Sequence, residues 1–436
     1  MSSHPISGSP NVTMATQHVD DQSESLIHRL AHSLCTPFSD WITLDPIKSV
    51  VTEYPAALGS VALLLSSYLL LRHWRNRKLP PGPWAWPVIG HLNYLLTNPH
   101  FKLSHFRDVY GDVYQLQCGG RRVVVVNSLE GIMQGLVERG DDVSDRPDLE
   151  SYNVLYPTSR QQGVVTGDVS EAWRAKKQFL SEVIDTYCSH AARIQDKVSA
   201  EIVDTVNLIS DIRDPFDPSP VLHMACLNVA LNLTFSQRFD PVGRLAQELY
   251  KTYDCRSSMF AFNAVDFQRL LKVFTTDDHH NYIQQQTERQ IDCNRRLLNW
   301  HKDTYDPASL RDFTDQLLLY VESGEDSGLL TKDDLDHILL DLAGSGFQAT
   351  AVTLTWLLGY MALNQDVQGE VHKEIDAVVG RDRLPSLEDQ PYLPLTEAVM
   401  CEVQRLASVR PFLIPHRTRK GTVIQGYDIP RDTLVL

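Results

Sequence analysis

Residues 334–361, DLDHILLDLAGSGFQATAVTLTWLLGYM, decide how the rest of the chain is read. The run is apolar enough, and long enough, to cross a bilayer as a helix. Yet Asp336 and Asp341 lie inside it, and Gly344-Ser345-Gly346 interrupts it. Charged groups are costly in hydrocarbon, so the stretch reads as a helix through the middle of a large soluble core. Each glycine there costs about 1 kcal/mol relative to alanine. That cost is tolerated where a flat cofactor, a substrate or a second helix approaches the backbone closely.

Further helical periods run over 170–208, 219–236, 279–303, 366–379 and 393–407, and the central period extends over 331–364. Strand-type side chains flank Gly119-Gly120 in GDVYQLQCGGRRVVVVNS, a hairpin signal. A second hairpin is expected in GYDIPRDTLVL, turning at Pro430-Arg431-Asp432. Towards the N-terminus, residues 54–71, YPAALGSVALLLSSYLLL, carry no charge, and RHWRNRK follows at once. Eighteen such residues just span a bilayer core, and the basic flank orients the remainder towards the cytoplasm. Residues 1–48 read as a disordered extension in which Asn11-Val12-Thr13 forms a sequon, 49–78 as a membrane anchor with a basic stop, and 79–436 as the main folded domain. Pro80, Pro81 and Pro83 make a stiff spacer between anchor and domain.

The 436 residues carry a net charge of −15, which argues against nucleic acid as a partner. The seven cysteines are dispersed without metal-ligand spacing, as expected of reduced thiols in a cytosol-facing domain.

Several stretches occur in one order: PPGPWAWPVIGHL, GDDVSDRPDL, EAWRAKKQFL, AGSGFQAT, EVQR, IPHRTRK and GYDIP. Together they resemble the cytochrome P450 family of haem-thiolate monooxygenases in its microsomal form. The wording of GDDVSDRPDL and RDFTDQLL is most similar to the animal subfamilies that oxidise aromatic xenobiotics or steroids. The resemblance implies a mainly α fold with small β-sheets and one N-terminal transmembrane helix. It implies haem b as cofactor, NADPH–cytochrome P450 reductase as partner, and lipophilic small molecules as substrates. The location it implies is the endoplasmic reticulum membrane, single-pass, with the catalytic domain in the cytosol. The alternative is a haem-free, catalytically dead membrane protein that binds lipophiles or pairs with a paralogue.

The resemblance also assigns residues. Arg146, Trp173, Lys177 and His416 match the positions that hold the haem propionates, with Lys177 standing where arginine is usual. Lysine keeps the charge but lacks the bidentate fork. Glu402 and Arg405 match a structural ion pair on one helical face. Gly346 and Phe347 fall at the substrate pocket, with Phe347 placed to stack on an aromatic substrate. The acid and alcohol that deliver protons in the family are replaced by Gln348 and Ala349, and Thr350 is one residue too far round the helix to stand in. The family's axial iron ligand is a cysteine in a glycine-rich loop beyond GYDIP, and no cysteine before Leu436 has that setting. Cys401 comes nearest in order, beside Glu402. The expectation is therefore a chain cut short of its metal ligand, with an apolar surface left exposed and turnover impaired.

Overall fold

The structure, a computed structural model, describes residues 77–436 apart from 87–88, 96–97, 157–160, 190, 241–242, 244–246, 254–276 and 324–331, together with Ser60, Leu63, Ser66 and Ser67. The chain divides into a unit Met1–Arg77 and a unit Lys78–Leu436, and the second carries the architecture that follows.

Helix α1 (Pro99–Tyr110) leads into strands β1 (Val113–Cys118) and β2 (Arg121–Val126). These pair antiparallel with Cys118 opposite Arg121, and Gly119 makes the turn at φ +56. The valine run of β2 is why this hairpin holds: Val123 and Val124 are fully buried, and β-branched side chains pack well on a pleated surface. Tyr114 of β1 donates its hydroxyl to the Leu103 carbonyl of α1 at 2.8 Å. Two short C-terminal strands complete the sheet. They are β3 (His416–Arg417) and β6 (Leu434–Val435), in the order β1-β2-β6-β3.

The expected hairpin at Pro430-Arg431-Asp432 is replaced by a different pairing. Strand β5 (Tyr427–Ile429) folds back on β4 (Thr422–Ile424) across Gln425-Gly426, which take φ +47 and +81. A two-residue hairpin of this hand needs positive φ at both positions, which proline's fixed negative φ excludes at Pro430. Residues 430–432 instead carry the chain from the two-stranded sheet to the four-stranded one, where β6 runs parallel to β2.

After the short α2 (Glu150–Leu155), the single helical period over 170–208 is two helices, α3 (Glu171–Cys188) and α4 (Ala191–Asp211). Ser170 starts α3 by accepting the Trp173 amide on Oγ at 3.1 Å. Helix α5 (Ser219–Phe235) is apolar nearly all round and lies against five others. These are α4, α6 (Asp277–Thr304), α7 (Phe313–Ser323), α8 (Lys332–Ser345) and α9 (Gln348–Leu363). The long α6 also packs beside α8. The core has Leu227, Leu231 and Phe235 of α5 at its centre, with Leu317, Ile338 and Leu339 around them. Some of the polar exceptions are partnered: Asn228 donates to the buried Glu201 and to the Phe239 carbonyl, and Arg238 closes on Glu201 through two N–H groups. Helices α10 (Gln365–Val378) and α11 (Pro394–Ala407) follow.

The central run is not one helix. It ends at Ser345 and restarts at Gln348, with Gly346 and Phe347 bent between. Two glycines within three residues weaken propagation there. Helix α8 turns buried Asp334, His337 and Asp341 inwards, whereas α9 is uncharged and leaves Trp356, Leu358 and Leu363 exposed. Among the described residues no helix is long and apolar enough to cross a membrane. The second-span alternative for 334–361 is therefore without support. The N-terminal transmembrane helix expected over 54–71 lies, but for Ser60, Leu63, Ser66 and Ser67, outside the described residues, and 1–48 lies wholly outside them.

Leu231 is 1% exposed at the centre of this packing. Leu231→Ala is expected to destabilise the domain by about 2–5 kcal/mol, read as a lower urea midpoint at unchanged m-value.

Candidate functional site

Arg146 follows an extended stretch held to β3, where the Arg417 amide donates to the Asp145 carbonyl at 2.6 Å. Its guanidinium serves three carbonyls on two segments: Nε donates to Val165 at 2.9 Å, and Nη1 to Ile414 and Pro415 at 3.1 and 3.2 Å. Burial lowers its pKa from the ordinary guanidinium value, with Tyr152 and Tyr156 opposing the shift. Trp173, on the first turn of α3, donates Nε1–H to the Val164 carbonyl at 2.9 Å. A Cβ on Gly167 would stand 2.8 Å from Trp173 Cδ1, so glycine is what lets the chain pass beneath this ring. Lys177 Nζ lies 5.3 Å from the centre of the same indole, a cation–π contact at an exposed lysine. His416, on β3, bonds the Val143 carbonyl through Nδ1 at 3.1 Å. Burial pushes its pKa down to about 4 from 6.5, and the Arg146 charge adds to the fall. The ring is therefore neutral near pH 7; Nδ1–H donates, and Nε2 presents a lone pair.

The structure thus brings Arg146 and Trp173 onto the adjacent Val165 and Val164 carbonyls, with Lys177 beside the Trp173 ring and His416 next along the chain from the Ile414 and Pro415 carbonyls that Arg146 also binds. Arginine, indole N–H and ammonium form a donor set suited to carboxylate oxygens. Carbonyl oxygens accept in much the same geometry, so the arrangement fits the rim of a dicarboxylate cofactor.

Two residues of this region were not singled out from sequence. Lys176 is 5% exposed, forms an ion pair with buried Asp334, and donates to the Gln161 and Gln162 carbonyls at 3.1 and 3.3 Å. A signal for it existed: Lys176, Phe179, Val183 and Tyr187 are the inward face of α3 at helical spacing, whereas Lys177 is one step outside that stripe. Asp341, read from sequence only as an objection to a membrane span, is 5% exposed. It accepts the Tyr156 hydroxyl on Oδ1, and the Val164 and Val165 amides on Oδ2 at 2.9 and 3.1 Å.

Other expected site residues lie elsewhere. Phe347 is 1% exposed in the apolar core, edge-on to Tyr253 at 6.3 Å. Gly346 and Thr350 line an apolar groove of 650 Å³ between α4, α5 and the α8–α9 junction. A Cβ on Gly346 would meet nothing closer than the Leu342 carbonyl at 3.9 Å, so no close approach requires a glycine there. Thr350 Oγ1 donates back to the Gly346 carbonyl at 3.5 Å, the usual local arrangement for a helical threonine. Gln348 and Ala349 open α9, half-buried. Glu402 and Arg405 pair through two bonds of 2.7 and 2.6 Å, but the pair is exposed on α11. A separate cavity of 550 Å³ lies between α1, β2 and residues 406–416, with His416 on its wall.

The neutral His416 has a consequence for pH. Its folded pKa lies below the unfolded value, so the unfolded chain binds the extra proton first. Its contribution is complete above about pH 6.5 and declines as pH falls towards about 4, at up to about 1.4 kcal/mol per unit. Urea midpoints are expected to fall less steeply across this window in His416→Gln than in the unsubstituted chain.

A family model described as cytochrome P450 matches residues 80–436. Human cytochrome P450 1A1 is 29% identical over 411 residues, covering 88% of this chain and 79% of the relative. Rat cytochrome P450 2D3 is 31% identical over 393 residues, covering 88% and 78%. Rabbit cytochrome P450 1A2 is 32% identical over 417 residues, covering 87% and 78%. The helical domain with its two small sheets therefore belongs to the cytochrome P450 family, whose members are haem-b-binding monooxygenases of the oxidoreductase class.

Proposed function

We propose that this chain is built to hold haem b and to insert one oxygen atom into lipophilic substrates, aromatic xenobiotics or steroids. Electrons would come from NADPH–cytochrome P450 reductase at the cytosolic face of the endoplasmic reticulum membrane. The observation that carries the reading is the convergence of Arg146 and Trp173 N–H groups on two adjacent carbonyls, inside a chain that matches the family over 80–436.

Haem b supplies the family's oxygen-activating chemistry when a cysteine thiolate is its axial ligand. On this chain Arg146 and Trp173 would hold the carboxylate rim, with Lys177 adding charge from the exposed side. His416 in its neutral form offers a lone pair, so it becomes a donor to a carboxylate only on taking up a proton. The described cysteines do not fit the axial ligand. Burial pushes the thiols of Cys118 and Cys226 up to about 12 and about 11, and also raises Cys293, while Cys188 and Cys401 are exposed.

Proton supply also departs from the family. The Gln348 amide does not release a proton near neutral pH, Ala349 has no donor, and the Thr350 hydroxyl is directed to Gly346. A second reading, a haem-free lipophile-binding protein, is favoured by the apolar groove lined by Ile202, Val206, Leu222, Val229, Leu354 and Leu357.

Titration with haemin, followed by Soret absorption, tests the primary reading. Arg146→Ala is expected to weaken binding about tenfold, the loss of a charge-assisted hydrogen bond. Equal affinities would contradict the assignment, and no binding by either form would favour the haem-free reading. In haem-loaded protein with reductase, product is expected to fall short of NADPH consumed, and Gln348→Asp with Ala349→Thr to narrow the gap. Strict proportion in the unsubstituted chain would refute the proton-supply argument.

A further inference from the structure

Residues Gln161–Val165 form no helix or strand, yet side chains from three elements take up their backbone. Lys176 of α3 donates to the carbonyls of Gln161 and Gln162. Asp341 of α8 accepts the amides of Val164 and Val165. Trp173 and Arg146 donate to the carbonyls of those same two valines, each at 2.9 Å. The two anchors on α8 are themselves secured: Asp341 by the Tyr156 hydroxyl, and Asp334, two turns earlier, by the ion pair with Lys176. Gly163 permits the approach, since a Cβ there would stand 2.7 Å from Asp341 Oδ2 and 3.0 Å from Tyr156 Cε1.

We infer that Asp341 is a positioning residue that holds Gln161–Val165 as a strap over Trp173 and Arg146, and that the Val164 and Val165 carbonyls compete with the two carboxylates of haem for those donors. The inference rests on the haem-binding reading above. An indole has a single N–H, so Trp173 serves the Val164 carbonyl or a propionate, but not both at full strength. Arg146 has more donors, but its Nε is committed to Val165. Haem affinity is then the intrinsic affinity reduced by the fraction of molecules whose strap is seated. Two amides on a carboxylate make charge-assisted bonds, so Asp341 governs that fraction more than any neutral contact to the strap. Loosening the anchor on α8 releases donors on the other side of the strap, without touching the donors themselves.

Asp341→Asn tests this, because asparagine keeps the shape while losing the charge and one acceptor oxygen. The probes are haemin and haemin dimethyl ester, which carries the same ring and iron but no free carboxylates. Haemin is expected to bind Asp341→Asn about tenfold more tightly than the unsubstituted chain, with the ester's affinity changed less than about twofold. In the unsubstituted chain, haemin but not the ester is expected to speed hydrogen exchange at the Val164 and Val165 amides. That measurement needs no variant and decides the question even if Asp341→Asn folds poorly. Unchanged or weaker haemin binding by folded Asp341→Asn overturns the strap, as do Val164 and Val165 amides that stay protected when haemin binds. An unsubstituted chain that binds neither porphyrin overturns the haem reading itself, and the strap with it.

Discussion

A carboxylate cannot be left unpartnered in an apolar interior, and the arrangement of this domain around α8 follows from how Asp341 is satisfied. Its partners are a tyrosine hydroxyl and two backbone amides from a segment without regular structure. Fixing those amides fixes the carbonyls of the same residues, and the carbonyls in turn orient Trp173 and Arg146. The Lys176–Asp334 pair ties α3 to α8 in parallel with this link. A buried ion pair of this kind adds little net stability over an apolar isostere, but breaking one side of it leaves a bare charge in the core. Its contribution is geometric: it holds the helix bearing Trp173 at one height relative to the helix bearing Asp341.

The same physical terms explain what could be read from sequence. The β1–β2 hairpin was legible because Gly119-Gly120 and the valine run of β2 are local signals pointing one way. Helix α5 was legible from its apolar content. The break at Gly346-Phe347 was less so. The glycines marked a weak point, but the choice between kink and interruption lies in packing, and Phe347 is drawn into the core by Tyr253. The pairing of Tyr427 depended on two positive φ values at Gln425-Gly426, whereas the proline nearby was the louder signal. At the site, the family resemblance pointed to Lys177, while the buried lysine is its neighbour. Asp341 was visible as a charge but not as an anchor, because its partners lie some 180 positions away in sequence.

Function in this family divides among cofactor grip, metal ligation and proton supply, and the chain treats the three differently. On the reading proposed above, Arg146, Trp173 and Lys177 supply the donor set for the carboxylate rim. Among the described cysteines, burial raises the thiol pKa of Cys118, Cys226 and Cys293, and Cys188 and Cys401 are exposed. On the same reading, Gln348 and Ala349 stand at the positions of the acid–alcohol pair.

A crystal structure of the haemin-loaded chain would test the central claim most directly. The account predicts one propionate within about 3 Å of Trp173 Nε1 and the other within about 3 Å of the Arg146 guanidinium, with the Val164 and Val165 carbonyls turned away from both. Propionates bound elsewhere, with Trp173 and Arg146 still on the valine carbonyls, would contradict it.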